Sequence, residues 1–196
     1  MGLSGLWQGK EFLMGFAHSK TLIIGGARSG KSSYALSLAQ EELLKVPENK
    51  EKARLFVATS SPGDSDMKAR IEAHRRERGP VWQTLEEEVF LAQRLRSLNE
   101  VYDIIVVDCI TMWIANMMDK DRFFVDEQLS LLMDTCNGMD CPIIFVSNEV
   151  GLGIVPDNEL AREFRERLGR VNQRLASFCS RVIFMVAGIP MVIKEV

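Results

Sequence analysis

Lys20–Ser32 reads KTLIIGGARSGKS, an apolar run followed by a glycine-rich loop that ends in Lys-Ser. Residues 25–32 fit the pattern G-x-x-x-x-G-K-[ST], which binds phosphate when a strand precedes it and a helix follows. The glycines let the backbone bend so that its N–H groups face an anion, and the positive end of the helix dipole strengthens that field. Because both flanking patterns are present, the stretch predicts a phosphate-binding loop and not a glycine-rich turn that matches by chance.

Three side chains are candidates for handling phosphate and metal. Lys31 is expected to reach the β- and γ-phosphates of a nucleotide, and the hydroxyl of Ser32 is expected to hold Mg²⁺. A second metal ligand is predicted at Asp108, which ends the apolar run IIVVD. The alternative for Asp108 is a cap on the helix predicted near Thr111–Met118.

Apolar, β-branched runs recur along the chain and are continuous instead of alternating. They cover Lys20–Gly25, Arg54–Thr59, Tyr102–Asp108, Pro142–Ser147 and Arg181–Ala187. Such runs are typical of strands buried on both faces of a parallel sheet. With helical patterns between them, they predict one α/β domain of the P-loop NTPase type (RecA-like), a mostly parallel sheet flanked by helices.

Apolar spacing of three and four residues predicts the helices. They cover Ser33–Lys45, Leu85–Asn99, a stripe through Val125, Leu129, Leu132 and Cys136 with Gly138 as its C-cap, and Leu160–Phe178. The last has an apolar face made of Leu160, Phe164, Leu168, Val171, Leu175 and Phe178. Beside that face lies a second stripe of Arg162, Arg165, Gly169 and Asn172, which is expected to face a large substrate, a neighbouring subunit or only solvent.

Composition restricts the class of protein. The chain has 196 residues, 46% hydrophobic and 26% charged, with a formal net charge of −3. We therefore expect a folded cytoplasmic domain over residues 19–196, no nucleic-acid partner and no membrane span, with 1–18 as an extension outside the fold. The four cysteines show no Cys-x-x-Cys spacing and are expected to be reduced, mostly buried thiols.

Two nucleotide-binding classes are excluded by missing motifs. Ser147–Val150, which follows a predicted strand, reads SNEV and has neither the Lys nor the Asp of the guanine-binding Asn-Lys-x-Asp. The dinucleotide fingerprint G-x-G-x-x-G is absent from the loop at 25–32. Glu149 follows the same strand and is a weaker candidate for orienting a hydroxyl or a metal.

A single histidine lies in the basic stretch RIEAHRRERGPVW, residues 70–82. If Asp66–Arg78 is a helix, Met67, Ile71 and His74 share one face, and His74 is either an ordinary histidine at the edge of the core or a functional one. Neighbouring arginines disfavour the imidazolium form, and a neutral imidazole is a nucleophile. Arginines also bind phosphate oxygens. The pattern favours attack by His74 on the α-phosphate of a nucleotide, with pyrophosphate leaving.

At these positions the chain resembles the bifunctional adenosylcobinamide kinase / adenosylcobinamide-phosphate guanylyltransferase (CobU/CobP) family of cobalamin biosynthesis. The matching segments follow the order of the family and are GGARSGKS (25–32), VATS (57–60), RIEAHRRERGPVW (70–82) with Glu86 behind it, VVDCITMWIANMM (106–118), SNEVGLGIVPDNELAREFRERLGRVNQRLA (147–176) and VAGIP (186–190). The family often has two adjacent histidines, whereas this chain has Ala73 before His74.

The resemblance implies two reactions at one nucleotide site. A kinase step moves the γ-phosphoryl group of ATP or GTP to adenosylcobinamide, and a transferase step passes GMP through His74 to adenosylcobinamide phosphate. It also implies Mg²⁺ and a homotrimer with active sites near the subunit contacts. The residues it places around the nucleotide are Gly25, Gly26, Ala27, Arg28, Ser29, Gly30, Lys31, Ser32, Ala58, Thr59, Ser60, Arg75, Arg76, Glu77, Arg78, Glu86 and Asp108.

Two other functions remain open on the residues alone. One is a small-molecule kinase with a single activity, in which His74 is structural. The other is a P-loop ATPase that regulates or assembles other proteins. Only the bifunctional enzyme is expected to take up label from α-labelled GTP, so a labelling experiment distinguishes it from both alternatives.

Overall fold

The computed structural model describes residues 19–46, 53–60, 78–98 and 102–196. Within these ranges seven strands form one sheet in the order β3-β2-β4-β5-β1-β6-β7. The strands are β1 (Lys20–Gly25), β2 (Arg54–Ala58), β3 (Trp82–Glu86), β4 (Ile104–Asp108), β5 (Ile143–Asn148), β6 (Arg181–Val186) and β7 (Ile189–Glu195). The first six are parallel to one another and β7 is antiparallel to β6. The predicted mostly parallel sheet is confirmed.

Five helices lie in the same ranges. They are α1 (Lys31–Leu43), α2 (Leu91–Arg96), α3 (Ile110–Ala115), α4 (Arg122–Asn137) and α5 (Glu159–Phe178). Within the described residues, none combines the length and the apolar character that crossing a membrane requires. Gly138 caps α4 as predicted, although its φ of −82° is right-handed and any residue could adopt it.

The core has two layers, one on each face of the sheet. Successive residues of β1 face opposite layers, so Leu22 joins one cluster and Ile23 the other. Leu38 of α1 covers the second cluster, whereas Trp113 of α3 and Leu168 of α5 cover the first. Helices on both faces explain why the strand sequences are continuously apolar.

The helix predicted over Leu85–Asn99 is wrong at its start. Trp82–Glu86 forms β3, which pairs with β2, and among the described residues 85–98 only Leu91–Arg96 are helical. Glu87 holds the turn between them, because one of its carboxylate oxygens accepts the backbone N–H groups of Val89 and Phe90, at 2.9 and 2.8 Å. Acidic residues expected in the first turn of a helix therefore lie before it.

The end of the chain also differs from expectation. The predicted strand at 181–187 turns at Ala187 and Gly188, whose φ values are 51° and 83°, and returns as β7. Two successive positive φ angles are the geometry of a tight hairpin turn. Leu160, predicted on the buried face of α5, is exposed instead, whereas Leu168, deeper in the same helix, is fully buried.

Candidate functional site

The loop between β1 and α1 is held by close backbone contacts. A Cβ atom on Gly25 would lie 2.5 Å from the backbone oxygen of Met185 in β6, so no side chain fits there. Gly30, the N-cap of α1, has a left-handed φ of 89°. The turn at Gly188 donates its N–H to the backbone oxygen of Ser29, at 3.1 Å. The shape of the loop therefore depends on glycine at two positions and on the β6–β7 hairpin.

Lys31 lies folded into its own loop. Its Nζ donates to the backbone oxygen of Gly26 at 2.6 Å and to Oγ of Ser29 at 3.5 Å. Burial lowers the pKa of Lys31, and the carboxylate of Asp108 opposes that shift. An incoming phosphate would supply the negative charge that this buried ammonium group lacks.

The first turn of α1 presents uncapped donors. No side chain caps the helix at Gly30, and no acidic residue lies in its first turn. Free N–H groups and the positive end of a 13-residue helix favour an anion at this position. Ser32, in the same turn, is half-buried and keeps a hydroxyl beside that position.

Candidate residues from different strands meet at the carboxyl edge of the sheet. Ala58 of β2 lies in register with Glu86 of β3 on one side and with Asp108 of β4 on the other. One strand, β5, separates β4 from β1, so the strand of Asp108 lies about 10 Å from that of the phosphate loop. Glu86 is exposed and lies further out, about 19 Å by the same spacing.

The turn after Asp108 is fixed by Thr59. The fully buried Thr59 donates its hydroxyl to the backbone oxygen of Cys109 at 2.6 Å and accepts the N–H of Cys109 at 2.9 Å. Asn116 in turn donates to the backbone oxygen of Thr59 at 2.7 Å. Cys109, and not Asp108, caps α3, because its sulfur accepts the N–H of Met112. Thr59 thus fixes the backbone on both sides of the Asp108–Cys109 peptide, since its own N–H donates to the backbone oxygen of Asp108 at 3.2 Å.

The basic stretch that contains His74 lies mostly outside the described residues. His74, Arg75, Arg76 and Glu77 are among those undescribed, as is most of the helix predicted over 66–78. Arg78 is described and buried, with its guanidinium carbon 3.7 Å from the ring centre of Phe56 in β2. Arg78, the described end of the stretch, therefore packs on β2, the strand that carries Ala58.

Sequence reasoning missed what the second stripe of α5 does. Arg162 donates to the backbone oxygens of Pro156 and Asp157, at 3.0 and 2.5 Å, and Arg165 donates to that of Gly151. Asn172 accepts the hydroxyl of Ser147 at 2.7 Å and donates its amide N–H to the backbone oxygen of Asn148 at 3.0 Å. The stripe holds the end of β5 and the loop after it.

Glu149 belongs to the same arrangement. Its carboxylate accepts the N–H of Gly151, and its own N–H donates to the backbone oxygen of Gly25 at 2.9 Å. The periodicity of α5 predicted the face that its polar residues share but not their partners, most of which are backbone atoms and carry no sequence signal.

A metal at this site would need oxygen atoms from the nucleotide. Among the described residues, no group of three or more His, Cys, Asp or Glu side chains could hold a metal ion. Ser32 and Asp108 offer a hydroxyl and a carboxylate, hard oxygen ligands of the kind that Mg²⁺ takes together with substrate phosphates. The donor set therefore fits Mg²⁺ bound with a nucleotide and not a separate protein cage.

A phosphate loop joins β1 to α1, and Asp108 ends β4, the second strand from β1 in the sheet. These two features together define a P-loop nucleotide-binding protein. Solved structures with the same fold include an ATPase domain that gives a TM-score of 0.51 at 10% identity, over 91% of this chain and 78% of that one. A KaiC-like protein from Pyrococcus horikoshii gives a TM-score of 0.53 at 14% identity, over 91% of this chain and 80% of that one.

The chain belongs to the cobinamide kinase / cobinamide phosphate guanyltransferase family, which it matches over residues 21–193. It is 42% identical over 178 residues to the bifunctional adenosylcobalamin biosynthesis protein CobP of Pseudomonas aeruginosa, covering 89% of this chain and 97% of the relative. It is 34% identical over 187 residues to the CobU protein of Escherichia coli, covering 88% and 98%. The chain is thus a kinase and guanylyltransferase of adenosylcobalamin biosynthesis.

Proposed function

We propose that the chain performs both reactions at one nucleotide site, with His74 as the residue that carries GMP. The names of the relatives support two activities in one chain, since both are described as bifunctional. The observation that carries the site is the phosphate loop, where a buried Lys31 and the uncapped start of α1 both favour an anion. Residues 19–196 form the catalytic domain, and 1–18 are an extension.

In the kinase step, the aminopropanol hydroxyl of adenosylcobinamide attacks the γ-phosphorus of ATP or GTP. The bond from that phosphorus to the β–γ bridging oxygen breaks, the nucleoside diphosphate leaves and the hydroxyl proton is released. Lys31 and the N–H groups of the loop hold the β- and γ-phosphates in place. Ser32 and Asp108 would hold Mg²⁺, which offsets the negative charge of the phosphates when it is bound.

In the transferase step, a ring nitrogen of His74 attacks the α-phosphorus of GTP and pyrophosphate leaves. A phosphate oxygen of adenosylcobinamide phosphate then attacks the same phosphorus, and the nitrogen–phosphorus bond breaks to give adenosylcobinamide-GDP. The loop that holds the β- and γ-phosphates for the first reaction would hold pyrophosphate as the leaving group in the second. Two displacements replace a direct encounter between two anionic substrates.

The remaining candidates would surround the rest of the nucleotide. Ala58, Ser60 and Glu86 lie along the carboxyl edge away from the loop, and Arg75–Arg78 follow His74 in the sequence. We propose that the arginines bind the α-phosphate during transfer. A cytoplasmic homotrimer with active sites near its subunit contacts completes the proposal.

The test is transfer of label from α-labelled GTP to the protein in the presence of Mg²⁺. We expect a label that is lost in acid and stable in alkali, absent from His74→Ala and present in His18→Ala, which removes the only other histidine. His74→Ala should still phosphorylate adenosylcobinamide, whereas Lys31→Ala should lose both activities.

Label retained by His74→Ala would show that another residue is the nucleophile. Loss of both activities in that variant, with thermal unfolding unchanged, would show that the two steps are not divided as proposed. A wild-type protein that phosphorylates adenosylcobinamide but takes up no label is a kinase with a single activity.

A further inference from the structure

The loop after β5 exposes large apolar side chains on its outer surface. Leu152 is 80% exposed, Ile154 is 97% exposed, and Val155 and Leu160 are 61% and 62% exposed. Scattered single apolar residues on a surface are ordinary, but four such exposed side chains within nine positions are a local concentration of apolar surface. We call residues 150–160 the apolar segment.

Hydrogen bonds fix the backbone that carries these exposed side chains. Two arginines of α5 fix the apolar segment, since Arg162 bonds to the carbonyls of Pro156 and Asp157 and Arg165 bonds to that of Gly151. Asn158 caps α5 by accepting the N–H of Ala161 at 2.7 Å. The segment therefore presents its apolar side chains from a pre-organised backbone, which lowers the entropic cost of binding a ligand.

The apolar segment starts beside the phosphate loop. Glu149, the residue before it, donates its N–H to the backbone oxygen of Gly25, and Asn148 pairs with Gly25 across β5 and β1. Both regions lie at the carboxyl edge of the sheet, where α/β folds bind their ligands. An acceptor hydroxyl must come within about 3–3.5 Å of the γ-phosphorus to react. The body of the acceptor molecule then lies over the same edge.

We infer that the apolar segment binds the corrin ring of cobinamide, with Leu152 and Ile154 packed against a face of the macrocycle. This rests on the proposed function, which places the acceptor hydroxyl at the phosphate loop. A corrin is a broad, rigid ring with methyl groups on its faces, and such a surface is matched by exposed aliphatic side chains on a fixed backbone. A second copy of the chain is the competing occupant, and the sedimentation of the variants described below distinguishes it from the corrin.

The experiment compares Leu152→Ser and Ile154→Ser with Leu44→Ser. Leu44 is 74% exposed and follows the last turn of α1, about 20 Å along that helix from the phosphate loop. We expect each of the first two variants to raise KM for adenosylcobinamide roughly tenfold, and the double variant roughly a hundredfold. The KM for the nucleotide and the labelling by α-labelled GTP should not change, and Leu44→Ser should match the wild type.

Equilibrium dialysis of cobinamide against each variant, read by the visible absorption of the corrin, measures binding without catalysis. It should weaken in parallel with KM, and Leu152→Met should restore it. Unchanged corrinoid affinity in the double variant overturns the inference. So does a change in sedimentation of Leu152→Ser or Ile154→Ser, because the segment is then a contact between copies.

The outcomes separate this inference from the proposed function. Labelling of the protein by GTP needs no corrinoid, so a wild-type protein that takes up label and phosphorylates cobinamide satisfies the proposed function. If its double variant then behaves like the wild type, only the role of the apolar segment is wrong.

Discussion

The phosphate loop and the apolar segment follow neighbouring strands at the same edge of the sheet, yet they are built in opposite ways. The loop has no room for side chains at Gly25 and offers backbone N–H groups to its ligand. In the apolar segment, backbone carbonyls accept hydrogen bonds from Arg162 and Arg165, and the aliphatic side chains are exposed. In the proposed site the main chain would hold a small anion, whereas side chains on a fixed main chain would hold a large apolar ring.

The largest effect is expected from Gly25→Ala. The new methyl group would lie 2.5 Å from the backbone oxygen of Met185, so the loop or β6 must move, at a cost of about 1–3 kcal/mol in the free energy of unfolding. Both activities should fall on the order of a hundredfold, since a small displacement of positioned groups has that effect. Steady-state kinetics and thermal unfolding measure the two consequences.

Gly138→Ala, outside the site, is the matched control, because its φ of −82° suits any residue and an added Cβ atom would lie no closer than 3.6 Å to the backbone oxygen of Thr135. It should keep both the stability and the activities of the wild type. A Gly25→Ala protein with normal nucleotide affinity would mean that the tight contact with β6 does not set the shape of the loop.

A smaller and more selective effect is expected from Arg165→Ala. The loss of the guanidinium releases the carbonyl of Gly151 and loosens the apolar segment. We expect KM for adenosylcobinamide to rise on the order of tenfold, because an ordered surface binds at a lower entropic cost. The KM for ATP should stay the same, and kinetics with each substrate varied in turn measure the split.

Arg170→Ala serves as the control, since Arg170 is an exposed arginine of the same helix. It should change neither KM. An equal rise of the KM values for ATP and for adenosylcobinamide in Arg165→Ala would show that the phosphate loop and the apolar segment depend on each other for their structure.

The smallest effect is expected from a change of pH, which should alter binding at the charged phosphate loop but not at the apolar segment. Burial lowers the pKa of Lys31, and the protonated lysine is the form that binds phosphate. As pH rises through that lowered pKa, the affinity for ATP should fall roughly threefold over the pH unit centred on it. The corrinoid affinity of the apolar segment should stay flat over the same range.

Isothermal titration with ATP between about pH 7.5 and 9.5, a range below the ordinary pKa of lysine, measures the fall. In Lys31→Arg the decline should move to higher pH, because a guanidinium stays protonated. A decline that is the same in the wild type and in this variant would assign the titration to another group.

The sequence predicted the parts of this site that depend on a local pattern. A continuous apolar run precedes both the loop at 25–32 and Asp108, and a helical pattern follows the loop. Their placement at strand ends could therefore be predicted. Trp82–Glu86 could not be, because its acidic end looks like the first turn of a helix while its pairing with β2 is non-local. The partners of Thr59 and Arg165 are backbone atoms of other segments, which no side-chain pattern encodes.

The hydrogen bond from the Gly188 turn to Ser29 joins residues roughly 160 positions apart, and it has a consequence for biosynthesis. The glycine loop is among the first parts of the domain to leave the ribosome, while β6 and its turn are among the last. At translation rates of about 5–20 residues per second, the loop waits roughly 8–30 s for the strand that fixes its shape. A nascent chain therefore carries the nucleotide motif long before it can hold a nucleotide.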